Sequence, residues 1–333
     1  MLSCRAGVDA AFVASEVNRA DRCLICQGQG GRIYQVREMM FGTGTAYDYF
    51  LCASCGCLQL VGFVPGEEQY PPGYYSYNSA SRATGARALL KAWRNRLVFR
   101  GKRVGRVVNR FSPYVEGAER WISSAGGGFD TRILDVGCGA GHLVRDLVNA
   151  GFKQAQGIDP FIPDSVAAQL AGLVRKATLH EISGEYDIVM FHHVLEHLVD
   201  PQAALIDAAR LLRPGGVCLV RLPVIPNEAW NRYRENWVQL DAPRHIFVHS
   251  IASLTLLAER AGFKLDDVQY DSTELQFSGS ELYSRGIPLA SLLGAFSARE
   301  LRRYRRQARR LNRAKRGDQA AFYFRKTPAK RAA

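Results

Sequence analysis

The sequence predicts an α/β fold, a sheet covered by helices on both faces, with a small cysteine-rich module in front of it. Three observations indicate this. A glycine-rich turn joins a buried strand to an amphipathic helix near residue 137, strands and helices then alternate along the chain, and two Cys-x-x-Cys pairs stand within the first sixty residues. Of the 333 residues, 47% are apolar and 23% charged, which is typical of a globular protein.

The cysteine pairs predict a metal site. Two residues between the cysteines of a pair let both thiolates reach one ion from a tight turn, and four thiolates form a closed, structural zinc site. A module of this size has too small a core to fold without such a ligand. Iron with the same ligands, a redox pair, or free buried thiols are the alternatives. The candidate ligands are Cys23, Cys26, Cys52 and Cys55.

The stretch "ILDVGCGAGHLVRDL", which begins at residue 133, places an acid and three glycines between a strand and a helix. An α/β fold binds anionic or nucleoside ligands at such a turn. The dinucleotide pattern Gly-x-Gly-x-x-Gly fails here, because His142 stands where its third glycine belongs. The next strand, "AQGID", ends in Asp159, and a carboxylate there can accept hydrogen bonds from ribose hydroxyls.

The alternation continues beyond this turn. "YDIVMF" predicts a fourth strand, and "DPQAALIDAARLLRPGG" predicts a helix that begins at Pro201 and ends at the Pro-Gly-Gly. "VCLVRLP" predicts a fifth strand, and "KLDDVQYD" and "AAFYFRK" predict an antiparallel sixth and seventh.

The spacing Asp-x-Gly-x-Gly-x-Gly, the acid after the second strand, and "LEHL" followed by "LLRPGG" resemble the class I S-adenosylmethionine-dependent methyltransferases. The resemblance covers residues 132–326 and implies a Rossmann-like, seven-stranded methyltransferase sheet with S-adenosylmethionine as cofactor. It implies that Gly137, Gly139 and Gly141 lie beside the methionine portion of the cofactor. It implies that Asp135 supports the loop and the cofactor's ammonium, and that Asp159 binds the ribose. It also implies that Phe191 and His192 flank the adenine or the sulfonium.

The methyl acceptor is expected to be a sugar. The cysteine module, "EEQYPPGYYSY" and "DAPRHIFVHS" together resemble methyltransferases of bacterial polysaccharide and deoxysugar pathways, and the length leaves no room for the further domain of sugar C-methyltransferases. We therefore expect O-methylation. A base whose pKa lies near neutral pH must take the proton of the hydroxyl group. His245 is the first candidate for this base and His193 the second. Trp230, Tyr233 and Trp237 either form a platform for a sugar ring or pack the insertion that carries them.

The net charge of +13 is concentrated in two segments, residues 82–110 with +10 and residues 299–316 with +9. Both show apolar residues at helical spacing. They predict loose association with an anionic membrane surface or contact with a charged glycan, or simply a solvated helix face. Two other functions stay open: an rRNA or tRNA methyltransferase that uses the ribbon and the basic helices, and a scaffold that binds the cofactor without catalysis.

The N-terminus lacks a signal-peptide core, so a cytoplasmic location is expected. The sequence predicts five regions: an N-terminal segment, a zinc ribbon, a Tyr/Pro-rich linker, a basic helical segment, and a methyltransferase domain with two insertions. Their bounds are 1–20, 21–62, 63–84, 85–130 and 131–333, with insertions at 224–249 and 273–319.

Overall fold

The computed structural model describes residues 22–62, 65–66, 93, 97 and 118–328. The predicted linker and most of the predicted basic segment in front of the α/β domain lie outside these residues. Among the helices of the described part, none is long and apolar enough to cross a membrane.

In chain order the strands are β1 (Gly31–Arg37), β2 (Ala46–Cys52), β3 (Leu58–Leu60), β4 (Ile133–Val136), β5 (Ala155–Ile158), β6 (Val174–Arg175), β7 (Tyr186–His192), β8 (Leu212–Pro223), β9 (Phe247–Val248), β10 (Phe263–Tyr270) and β11 (Gln319–Lys326). The helices are α1 (Ala118–Ser124), α2 (His142–Ala150), α3 (Asp164–Gln169), α4 (Pro201–Leu211), α5 (Glu228–Tyr233), α6 (Ile251–Arg260), α7 (Leu275–Ser284) and α8 (Ala298–Arg313).

Seven strands form the central sheet in the order β10-β11-β8-β7-β4-β5-β6. β11 runs antiparallel to both of its neighbours, so β10 is parallel to the remaining strands. The prediction of an antiparallel sixth strand is therefore wrong, and only the seventh, β11, is antiparallel to the rest of this sheet. This mixed sheet with helices confirms the predicted α/β class. The strand order reverses between β4 and β7, and the carboxyl ends of these two parallel strands form the crevice in which such folds bind ligands.

Alternating side chains of the central strands divide the core between the two faces of the sheet. Ile188 and Met190 of β7 pack with α1 and α2, whereas Val189 and Phe191 pack with α4 and α6. Helices therefore cover both faces, as predicted. Helix α4 begins at Pro201, as predicted, but β8 begins immediately after it, so the Pro-Gly-Gly belongs to the strand and not to the end of the helix.

The cysteine module folds as a second sheet, in the order β1-β2-β3-β9. Its fourth strand, Phe247–Val248, comes from the predicted insertion 224–249, and Leu58 and Gln59 pair with it. One continuous core runs from Cys23 of the module to Phe324 of the central sheet. The α/β domain therefore completes the module, and the two share a hydrophobic interior.

Candidate functional site

The glycine loop lies between β4 and α2, with its backbone held close to its neighbours. The N–H of Gly137 donates to the carbonyl of Ile158 at 2.8 Å, and φ is positive at Gly137, Gly139 and Gly141 (68°, 51° and 68°). A Cβ on Gly137 would lie 2.5 Å from a methyl group of Val194. The turn therefore requires glycine and presents bare backbone at the carboxyl end of the sheet.

Asp159 anchors this loop to the end of β5. The carboxylate is buried, with one oxygen accepting from the N–H of Gly139 at 3.0 Å and the other from the N–H of Phe161 at 2.8 Å. Each carboxylate oxygen retains capacity for a further hydrogen bond. The predicted contact with the ribose thus stays compatible with the geometry, but the carboxylate also supports the loop.

Asp135 is a buried acid with an unused oxygen. Only 3% of the residue is exposed, and its Oδ1 has no hydrogen-bond partner among the described residues. Burial, with the nearby charge of Asp159, raises the pKa of Asp135 to about 8. A buried carboxyl group under a bare glycine loop fits a cationic ligand group, such as the ammonium of S-adenosylmethionine.

We expect the affinity for S-adenosylhomocysteine, which carries the same ammonium, to increase from pH 6 to pH 8 and then level off. Only ionised Asp135 attracts the cation, and its pKa of about 8 means that a proton leaves when the ligand binds below that pH. The dissociation constant should fall by up to about tenfold per pH unit. Isothermal titration calorimetry measures both the affinity and the proton release. Asp135→Asn should remove the dependence, and a flat wild-type profile would contradict this assignment.

The structure separates the two residues expected beside the adenine or sulfonium. Phe191 is fully buried, and its ring packs in the core on the side of α4. His192 lies on the opposite side, with its ring 4.7 Å from the ring of Trp121, and neither ring nitrogen has a partner among the described residues. Burial and the charge of Arg221 hold the pKa of His192 well below its usual value. His192 is therefore neutral, and Phe191 supports the strand from the core.

His193 joins a polar cluster at the carboxyl ends of β7 and β8. Its Nδ1 lies 3.2 Å from a carboxylate oxygen of Glu196, and its Nε2 lies 2.8 Å from Nη1 of Arg221. A guanidinium only donates, so we assign the ring proton to Nδ1, which leaves Nε2 as the basic nitrogen. Arg221 also donates to Asp271 at 2.6 Å and lies over the ring of Trp121 at 4.8 Å.

Glu196 holds a negative charge inside this cluster. The residue is fully buried, and burial alone would raise its pKa, but the close contact with His193 and the nearby rings of His197 and His245 lower the pKa to about 2. A carboxylate oxygen of Glu196 and one ring nitrogen each of His197 and His245 all lie within 4.8 Å of one another. The carboxylate thus lies among three imidazoles, but neither of its oxygens makes a well-aligned hydrogen bond with the described residues.

His245, the first candidate base, lies at the contact between the cysteine module and the insertion. Its residue exposure is 4%, and its Nδ1 donates to the carbonyl of Gln239 at 2.8 Å. Nε2 lies 3.9 Å from a carboxylate oxygen of Asp241, and the hydroxyl of Tyr49 donates to the backbone carbonyl of His245 at 2.8 Å. Its role as a base stays a prediction, but the ring is enclosed.

The aromatic residues of the insertion are packing residues. Trp230, Tyr233 and Trp237 are all buried, and the indole N–H of Trp237 donates to Asp318 at 3.0 Å. The ring of Trp230 meets that of Tyr34 in the cysteine module, edge to face, at 5.0 Å. The packing interpretation is therefore correct, and these rings offer no open platform for a sugar.

The four predicted metal ligands converge on one point, with all sulfur atoms within 4.8 Å of one another. Cys23 and Cys55 are 3.6 Å apart, as are Cys26 and Cys52, close to the ~3.8 Å expected around a tetrahedral ion with 2.3 Å bonds to sulfur. Backbone N–H groups of residues 28 and 54 point at two of the sulfurs at 3.3 Å. The donor set and its backbone support fit a zinc ion.

The polar cluster contains two residues that the sequence pattern did not single out, Arg221 and Asp271. Arg221 stands near the end of the apolar run "VCLVRLP", and a charge at the carboxyl end of a buried strand was the available signal. Asp271 directly follows β10, whose carboxyl end lies at the same edge of the sheet.

A family model described as "Methyltransferase domain" matches residues 85–268, more than half of the chain. A ubiquinone biosynthesis O-methyltransferase from Bordetella bronchiseptica is 35% identical over 108 residues, covering 29% of this chain and 44% of that protein. One from Escherichia coli is 34% identical over 103 residues, covering 28% of this chain and 42% of the relative. The chain thus spans less than half the length of these relatives.

Solved structures that match this chain include the 1,6-didemethyltoxoflavin-N1-methyltransferase of Burkholderia thailandensis with bound S-adenosylhomocysteine. The two chains are 16% identical, the match covers 75% of this chain and 93% of the other chain, and the TM-score is 0.40. The [4+2]-cyclase SpnF is 18% identical, with 67% and 82% coverage and a TM-score of 0.43.

Proposed function

The chain belongs to the methyltransferase-domain family, and on that premise we propose that it transfers a methyl group from S-adenosylmethionine to a hydroxyl group of a sugar. The observation that carries the proposal is the bare glycine loop over Asp135, a buried carboxyl group with an unused oxygen. The bound cofactor supplies an electrophilic methyl group on a good leaving group. Gly137, Gly139 and Gly141 would line it, Asp135 would hold its ammonium and Asp159 its ribose.

The protein's own contribution is to align the acceptor and take its proton. The carboxylate of Glu196 lies 3.2 Å from Nδ1 of His193 and favours a proton on that nitrogen, so Nε2 of His193 would be available as a base once an acceptor hydroxyl replaces Arg221 as its partner. A proton on Nε2 makes the ring cationic beside buried Glu196, which stabilises it. With 26% of its side chain exposed against 5% for His245, His193 is the better placed candidate.

A hydroxyl acceptor is supported by the names of the relatives, which are O-methyltransferases. The sugar rests on the resemblance to polysaccharide-pathway methyltransferases, and Arg221 and Asp271 add hydrogen-bonding groups that suit a polyhydroxylated ligand. We also propose that the cysteine site holds a structural zinc ion. A cytoplasmic location and loose association with an anionic membrane surface complete the proposal.

The test is to incubate the protein with radiolabelled methyl donor and fractionated bacterial extract. We expect label in carbohydrate, and none in RNA. His193→Ala should then lower kcat by about 10²- to 10⁴-fold with cofactor affinity unchanged. His245→Ala serves as the comparison and should leave kcat within a few-fold of wild type. Label in RNA would favour the RNA methyltransferase, and cofactor binding without any labelled product would favour the scaffold.

A further inference from the structure

Helix α8 carries an unusual density of positive charge. Eight arginines stand on its sixteen residues with a single acid, Glu300, and all eight side chains belong to exposed residues. Among the described residues, a carboxylate lies within ion-pair distance of only one of them, Arg305, which contacts Glu274. Tyr304 and Ala308, on the opposite face, are buried against the domain. The helix is therefore fixed in place and directs its cations outward.

An apolar surface adjoins this helix. The loop that precedes α8 presents Leu293, which is 98% exposed and is followed by glycine. Between this loop, α7 and the first turn of α8 lies an open cavity of about 600 Å³, a size that accommodates a small ligand. Its apolar lining consists of Leu275, Ala290, Leu292, Leu293, Phe296 and Leu301. The cavity is mainly apolar, and its acidic lining residue Glu274 is paired with Arg305. Such a cavity beside a row of arginines is suited to a molecule with an apolar chain and an anionic head.

We propose that the cavity and α8 together form a binding site for an anionic phospholipid of a bilayer surface. An acyl chain enters the cavity beside Leu293, and the phosphate is held by arginines of α8. Charge complementarity selects an anionic lipid, and the fully exposed leucine selects a bilayer over RNA, whose backbone gains nothing from an apolar side chain. This deepens the membrane association proposed above and rests on that part of the proposed function, but not on the methyl acceptor.

The full chain is sedimented with vesicles of phosphatidylglycerol and phosphatidylcholine (1:1) and with vesicles of phosphatidylcholine alone, without methyl donor. We expect at least tenfold tighter binding to the anionic vesicles, weakened by 0.5 M NaCl. Leu293→Ser should weaken it about tenfold. Ile206→Ser on α4, another exposed apolar residue (52%), is the matched control and should change nothing. Replacing Arg302, Arg306 and Arg313 together by alanine should lower the affinity for the anionic vesicles about 100-fold. Replacing the same three residues by lysine should retain most of that affinity.

Equal binding to both kinds of vesicle would overturn the proposal, as would equal effects of the two serine variants. Competition by inorganic phosphate at the same phosphate concentration would show a phosphate site in place of a lipid site. Preferred binding of a mixed transfer RNA sample over the anionic vesicles would show an RNA surface. Circular dichroism of each variant establishes that it is folded. Since no methyl transfer is measured, failure here leaves the proposed reaction standing, and failure of that reaction leaves this site standing.

Discussion

Replacing Gly139 by arginine is expected to abolish binding of S-adenosylmethionine and S-adenosylhomocysteine, with an affinity loss of at least about 100-fold. Gly139 has a φ of 51°, and its N–H donates to Asp159 at 3.0 Å. A side chain here disfavours the left-handed backbone by about 1–2 kcal/mol, which strains the loop. Because Gly139 is buried, the arginine would also crowd the space over the loop that is proposed for the cofactor.

The loss is measured by calorimetry and by the shift in Tm that S-adenosylhomocysteine produces. Gly262→Arg is the matched control, since Gly262 also has positive φ (83°) but has no neighbour within 4 Å of an added Cβ. The control carries a similar backbone penalty and should retain wild-type affinity. If Gly139→Arg binds the ligand within threefold of wild type, the cofactor is not on this loop.

Local patterns were sufficient for most of the central sheet. Six of its seven strands contain a segment that was predicted from an apolar or alternating pattern, which depends only on neighbours in sequence, whereas the two-residue strand β6 was not predicted. The glycine loop was predictable for the same reason, since the strand, the turn and the helix are contiguous. The convergence of the cysteine pairs was predictable because two residues between thiols let both reach one point from a tight turn, and the four sulfurs do converge.

Contacts between distant segments were not predictable. Phe247 and Val248 complete a sheet that begins at residue 31, and Glu38 pairs with Arg244, which lies 206 residues further along the chain. Nothing in either segment alone specifies the partner. The aromatic residues of the insertion illustrate a second limit. Trp230 and Trp237 stand among polar residues whether they line a site or pack an interface, so composition could not decide between these roles.

The polar cluster shows a third limit. His193 was a candidate because histidine suits acid–base chemistry, but its tautomer depends on Arg221 and Glu196, which come from different elements. The sequence thus identified the residue type, and only the fold supplied the partners that decide which ring nitrogen is basic.

Replacing Cys23 by serine is expected to abolish zinc binding and to unfold the cysteine module. Three thiolates and a hydroxyl bind zinc far more weakly than four thiolates, and structural zinc contributes about 10–16 kcal/mol to folding in zinc-finger peptides. The thiol of Cys23 is favoured as a thiolate, because its hydrogen bond with Cys55 lowers its pKa to about 5. Metal analysis should find one zinc per wild-type chain and none in the variant.

Cys57→Ser is the matched control. Cys57 is buried in the same module and is not among the four converging cysteines, so this variant should keep its zinc. A zinc content in Cys23→Ser equal to that of the control would contradict the assignment of the metal site.

Loss of the module should also loosen the segment that carries His245. Buried Arg244 binds Glu38 of the module at 2.9 Å, and the hydroxyl of Tyr49 holds the carbonyl of His245 at 2.8 Å. Without the module, buried Arg244 loses the carboxylate of Glu38 and keeps only that of Asp241, and a buried charge that loses a partner is destabilising. Hydrogen exchange at residues 244–249 should therefore increase in Cys23→Ser, while exchange in β4 and β5 stays near wild type. Unchanged exchange at residues 244–249 would mean that the α/β domain holds this segment unaided.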